Sequence, residues 1–197
     1  FSRSALEVLR QPMEDGFVTI SRVQASLTFP AGFILVAAQN PCPCGYYGES
    51  DGVHECCCSM GDLERYRKKI SGPLLDRIDL QVHVPRLNYR DLKLKTNGET
   101  SALIRQRVIA ARNIQLERLK QEKLNCNSAM GHREIIKYCH LTTAAEQLLE
   151  KYYATLGLSA RSHDRIIKVA QTIADLSKAA CIDTVHLAEA IQLRTKE

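Results

Sequence analysis

The spacing of apolar and polar residues divides this chain in two. Residues 1–88 change their period every ten or fifteen positions, whereas residues 99–197 keep a helical period almost throughout. In SRSALEVLRQPMEDG the apolar side is Ala5, Leu6, Val8 and Leu9, with Ser2 or Ser4 as cap and Pro12 and Gly16 closing the helix. FVTISR and QASLTF alternate, which predicts a hairpin or two short strands. AGFILVAAQN does not alternate, the pattern of a central parallel strand buried on both faces. GDLERYRKKI reads as a helix, and IDLQVHVP alternates at Ile78, Leu80, Val82 and Val84 as a further strand ending at Pro85.

The second half predicts about five helices. SALIRQRVIAARNIQLERLKQEK is long and amphipathic, and GHREIIKYCH is short. LTTAAEQLLEKYYATLG starts at a Thr142 or Thr143 cap and stops at Gly157. SARSHDRIIKVAQTIADLSKAA repeats Ile166, Ile167, Val169, Ala170, Ile173 and Leu176 at helical spacing, and DTVHLAEAIQLR closes the set. Between the halves lies a polar piece with Asn97-Gly98, so residues 89–98 read as a linker. The expected fold class is α/β followed by all-α.

Composition narrows this picture little. A chain of 197 residues with 45% hydrophobic content suits one large or two small globular domains. No run has the length of a membrane span and none resembles a signal peptide, so no membrane partner is expected. The first residue is Phe rather than Met, which reads as a fragment. A net charge of +5 permits nucleic-acid contact without requiring it. Arg105, Arg107, Arg112, Arg118, Lys120 and Lys123 along the long helix read first as a solvated face.

The cysteines change the picture more. Of eight, five (Cys42, Cys44, Cys56, Cys57 and Cys58) fall within 17 residues, while Cys126, Cys139 and Cys181 are scattered. A disulfide scaffold would spread its cysteines to staple distant loops. Two C-x-C pairs on a loop with Pro43 and Gly45 instead offer soft ligands for a tetrahedral zinc ion. An Fe–S cluster, a disulfide pair or a metal-free loop are the alternatives, and His54 is a weaker ligand candidate.

Three further positions carry candidate chemistry. Asn40 ends the AGFILVAAQN run, where open α/β sheets bind ligands, although Asn-Pro also opens turns. Arg77, in PLLDRID, offers a fork of donors suited to a phosphoryl group, or pairs locally with Asp76 or Asp79. Arg161 starts a helix after LSA, with Arg165 one turn on as its competitor and a solvent-facing arginine as the plain alternative.

Taken together, FSRSALEVLRQPMEDG, SLTFPAGFILVAAQNPCPCG, SGPLLDRIDL and LSARSHDRIIKVAQTIADL resemble the magnesium-chelatase-like branch of the AAA+ ATPases, near its bacterial competence members, over essentially the whole chain. The resemblance is to the C-terminal half only. It implies the distal part of an AAA+ core over 1–88, with the Cys-rich loop at 41–59 and an incomplete parallel sheet, then a helical lid over 99–197. It implies sensor-1 work for Asn40, a finger role in a neighbouring subunit's site for Arg77, and sensor-2 contact with nucleotide for Arg161. It also implies Cys42, Cys44, Cys56 and Cys58 as the metal set, with Cys57 extra.

The implied cofactors are ATP and Mg²⁺ in the full-length protein, the implied assembly a hexameric ring, the implied partner DNA, and the implied setting cytoplasmic. Arg22, near the turn of the 17–29 hairpin, is the weaker candidate for DNA contact at a central pore. No G-x-x-x-x-G-K-[ST] occurs among the 197 residues, so the phosphate cradle is not expected from this chain, and the chain alone is expected to be inactive toward ATP. Two rival functions stand beside the DNA motor: a motor subunit for metal insertion into porphyrin, and a non-enzymatic zinc-stabilised binding module.

Overall fold

The computed structural model describes residues 2–48, 54–85, 93, 98–156 and 159–194. The chain forms two compact units, Phe1–Ile78 with His83–Leu94, and Asp79–Val82 with Lys95–Glu197.

The first unit opens with two short helices where the sequence reads as one. They are α1 (Arg3–Val8), capped by Ser2, and α2 (Arg10–Asp15), closed by Gly16 in the left-handed region at φ 70°. Pro12 supplies the reason for the break. Its ring cannot tolerate a helical carbonyl four residues back, at Val8, and it has no N–H to donate, so a new helix starts at Arg10 with Pro12 in its first turn.

β1 (Phe17–Arg22) and β2 (Ala25–Pro30) form the expected antiparallel hairpin. Residues directly opposite share a face, so Val18 with Phe29 and Ile20 with Leu27 make one side apolar. The other side carries hydroxyl pairs, Thr19 with Thr28 at 3.2 Å and Ser21 with Ser26 at 3.1 Å.

Among the described residues this hairpin is the whole sheet, and two strand expectations are corrected. Residues 31–40 are not a strand, and Ile34 and Val36 are 91% and 88% exposed rather than buried. The run has the composition of a central strand, but a strand exists only when paired, and no described segment pairs with it. The expected incomplete parallel sheet is therefore absent among the described residues.

Residues 78–84 are not a strand either. Part of this stretch straps onto the helical unit instead: the Gln81 N–H donates to the Leu193 carbonyl at 2.6 Å, and the Asp79 carboxylate pairs with Arg165. Partners for its backbone and side chains thus come from helices rather than from a sheet. After the cysteine loop, α3 (Met60–Arg67) starts with a capping box between Ser59 and Asp62, and α4 (Gly72–Leu75) is capped by Ser71.

The second unit holds α5 (Ser101–Leu119), α6 (His132–Tyr138), α7 (Thr143–Leu156), α8 (Ala160–Leu176) and α9 (Thr184–Gln192). Its core is one cluster that includes Leu119, Met130, Ile135, Ile166, Ala170, Ile182, Leu187 and Ile191. The helical spacing of Ile166, Ile167, Ala170 and Ala174 lays one stripe of α8 against that cluster.

Set into the same stripe is a polar lock. The Asp175 carboxylate accepts from Arg118 on α5, from the Asn127 side chain at 2.8 Å and from Gln171 at 3.1 Å. A buried carboxylate is tolerable only with such a set of donors. The linker expected over 89–98 lies outside the described residues except at Lys93 and Gly98, and the expected stop at Gly157 lies outside them altogether.

Candidate functional site

One helix cap and one tight turn build the cysteine site. In Cys42-Pro43-Cys44-Gly45, Pro43 restricts the backbone and Gly45 takes φ 86°, a left-handed turn that a side chain would strain. The turn brings Cys44 Sγ to 3.3 Å from Cys42 Sγ and swings both toward Cys56, at 3.8 and 3.6 Å. Cys58 is anchored from the other side because Ser59, the next residue, caps α3.

The ligand atoms of Cys42, Cys44, Cys56 and Cys58 all lie within 4.8 Å of one another. Four sulfurs at about 2.3 Å from a tetrahedral zinc ion stand roughly 3.8 Å apart, so the set fits that ion without rearrangement. No disulfide joins any of the eight cysteines. Cys57 points away and is exposed. His54 is not part of the set; it stacks on Tyr46 with ring centroids 5.2 Å apart.

Backbone amides complete the site. The N–H groups of Gly45 and Tyr47 donate to Cys42 Sγ at 3.1 and 3.4 Å. The Tyr46 N–H, with help from the Cys42 thiol and the Cys57 N–H, pulls the Cys44 thiol down to about 6. Cys58 receives the Cys44 N–H, yet its partial burial and the three neighbouring thiols push it up to about 12. One sulfur readily ionised, and others opposed by its charge, is the arrangement a cation relieves. Arg67 covers this turn from α3, its guanidinium 5.1 Å from the Tyr47 ring centre.

The structure places the remaining candidates as follows. Asn40 is exposed at the end of the extended apolar run, directly before the cysteine turn. Arg22 is exposed at the last rung of the hairpin, opposite Ala25. In the helical unit Arg161 is exposed in the first turn of α8, after the Ser159 cap. Its competitor Arg165 is 18% exposed and is taken up by Asp79.

Arg77 has a partner that the sequence does not announce. It donates through Nη2 to the Glu14 carboxylate on α2, and through Nη1 to the Pro73 carbonyl at 2.7 Å. Sequence reasoning missed Glu14, since 63 positions separate the pair and no local pattern announces it.

Comparison with known proteins bears on the same residues. A family model described as magnesium chelatase, subunit ChlI, matches residues 1–92, and one described as magnesium chelatase, subunit ChlI C-terminal, matches residues 98–194. The chain is 43% identical over 195 residues to the competence protein ComM of Haemophilus influenzae, covering 98% of this chain and 37% of that protein. Protein YifB of Escherichia coli is 42% identical over 196 residues, with the same shares covered. A Mycobacterium tuberculosis protein is 35% identical over 193 residues. The chain thus spans 37% of the length of these curated relatives. With both models matched in order along it, the chain belongs to the magnesium-chelatase subunit ChlI family.

Proposed function

We propose that this chain is the C-terminal part of a ring-forming AAA+ ATPase subunit that works on DNA, in the manner of a branch-migration motor. ATP and Mg²⁺ are held chiefly by residues outside this chain. Asn40 orients the attacking water near the γ-phosphate, Arg77 enters the neighbouring subunit's site against the charge that builds on the transferring phosphoryl group, and Arg161 senses nucleotide from the lid. Arg22 is the DNA-facing candidate on the hairpin. Cys42, Cys44, Cys56 and Cys58 hold a structural zinc ion, which supplies a fixed crosslink to a loop poor in apolar residues.

The observation that carries this reading is the match to ComM, named a competence protein, along 98% of the chain. Asn40 is exposed at the end of the apolar run, where an incoming ligand can reach it. The family description favours a second reading, a motor subunit for magnesium insertion into a porphyrin. The full-length subunit separates the two: ATP turnover stimulated by single-stranded or branched DNA supports the DNA motor, and turnover stimulated by porphyrin supports the chelatase. DNA affinity with no turnover under any condition sinks both and leaves a binding module.

A further inference from the structure

We infer that Glu14 is the positioning residue for Arg77, holding its guanidinium in a set orientation for the neighbouring nucleotide site. The inference rests on the finger reading of Arg77 given above, and goes beyond it by assigning what aims the finger.

A finger acts by geometry, so a free arginine side chain with four rotatable bonds would lose most of its value in being ordered at the moment of reaction. Arg77 is already ordered. Its side chain is 10% exposed and is held at two points, Nη2 by the Glu14 carboxylate and Nη1 by the Pro73 carbonyl. Two anchors fix the plane of a guanidinium, which carries five N–H donors in all. The Glu14 contact is charge-assisted and therefore the stronger of the two. Pro73 lies one turn back on the segment that carries Arg77, so its carbonyl moves with the arginine. Glu14 belongs to a separate helix and sets an external reference.

That reference is itself braced. Glu7 on α1 accepts from Arg10 at 2.8 Å, and the nearby Ser71 hydroxyl is the main reason its carboxyl titrates below the usual range. Ser71 caps α4 through the Leu74 N–H at 3.3 Å. The helices α1 and α2 thus meet the segment 71–77 near both its ends, Glu7 beside Ser71 and Glu14 bound to Arg77. Gly16, left-handed at the end of α2, lets the chain turn away directly after the Glu14 contact.

The test uses the full-length subunit in its assembled form, with variants Glu14→Gln and Arg77→Ala. Glu14→Gln keeps the shape and removes the charge. It is expected to lower kcat about ten- to hundredfold, the loss typical of misplacing a catalytic group by around an ångström. Nucleotide affinity, read by a fluorescent ATP analogue, is expected to stay unchanged, and adding Glu14→Gln to Arg77→Ala is expected to lower turnover no further.

Because the finger works on a neighbour's site, mixing Glu14→Gln subunits with subunits whose phosphate loop is disabled, but whose Glu14 and Arg77 are intact, should restore turnover at the Glu14→Gln sites. A purely structural role gives no such rescue. Wild-type kcat for Glu14→Gln beside an inactive Arg77→Ala overturns the inference and leaves the finger standing. So does a loss in Glu14→Gln that mixing fails to restore. Full activity of Arg77→Ala instead sinks the finger reading itself. Glu14→Asp, which keeps the charge on a shorter arm, covers the case of a poorly folding amide variant and is expected to fall between wild type and Glu14→Gln.

Discussion

The two units solve the problem of staying folded in different ways. The helical unit has a conventional interior in which one apolar cluster gathers contributions from α5 to α9 and from the loops between them. The first unit buries little: among its described residues only Pro12, Cys42, Leu63 and Leu74 are buried, while the apolar run 33–36 stands in solvent. What it has instead are point fastenings, namely four sulfurs around one position, a helix-to-segment grip by Glu14 and a hydroxyl-zippered hairpin. A domain with too small a core characteristically leans on a metal or on other covalent-like staples. The half richer in candidate chemistry is therefore the half with the smaller apolar core.

The contrast breaks most visibly under metal removal. Protein purified without chelator is expected to carry one zinc ion per chain, by elemental analysis. Stripping it, or replacing Cys42 with Ser, should raise amide exchange across residues 41–59 and leave α5–α9 protected. Equal exchange in both units, or no metal in fresh protein, would undo the distinction.

Next in size is the polar lock of the helical unit. Asp175→Ala leaves Arg118 at an almost closed site without its partner, and a broken buried pair typically costs about 3–5 kcal/mol. Ile166→Ala, a cavity in the same stripe, should cost about 2–5 kcal/mol. Both are read as lower denaturant midpoints for the helical unit, with the cysteine site intact. A change below about 0.5 kcal/mol for either would mean that the cluster is not the load carrier it resembles.

Smaller still is Arg165→Ala. Its partner Asp79 is half exposed, so the loss should be no more than about 1 kcal/mol. It should also leave nucleotide response unaltered, whereas Arg161→Ala should alter it. The reverse outcome would transfer the sensor role to Arg165.

The gentlest probe is pH. The Glu7 carboxyl titrates low because of the Ser71 hydroxyl and Arg10, so its contribution is complete above the ordinary Glu value of 4.5 and is lost as acid protonates it in the folded state. Mild acid should therefore loosen the contact between α1 and the 71–77 segment before it touches the apolar core of the helical unit. Hydrogen exchange at Leu74 and Leu75, followed downward from pH 5, measures this.

Much of the helical unit was legible because a 3.6-residue period leaves a repeated trace: Ile166, Ile167, Ala170 and Ala174 mark the buried stripe of α8 without any knowledge of what they touch. Gln171 and Asp175, polar residues falling on that same stripe, were the readable sign of the lock and were passed over. The hairpin was legible from alternation alone. The run 33–38 was misread because composition reports what a segment is suited to, while strand formation depends on a neighbour that local sequence does not contain. IDLQVHVP failed for a related reason, its partners being Arg165 and Leu193 on distant helices. The cysteine set was legible as a local cluster. The Glu14–Arg77 pair was not, since an ion pair across 63 positions has no periodic signature.

One consequence of the hairpin concerns its tolerance to length change. Its oily side and its hydroxyl side are assigned by alternate residues, so removing a single residue from either strand would invert every side chain beyond the deletion. Thr19 and Thr28 would then face unlike neighbours, and Ile20 and Leu27 would no longer meet. Evolution can lengthen such a ribbon only by adding matched pairs, two residues at a time on each arm, if the two surfaces are to keep their identities. Length variants among related chains should accordingly keep even parity in each arm, with odd changes confined to the Val23-Gln24 tip.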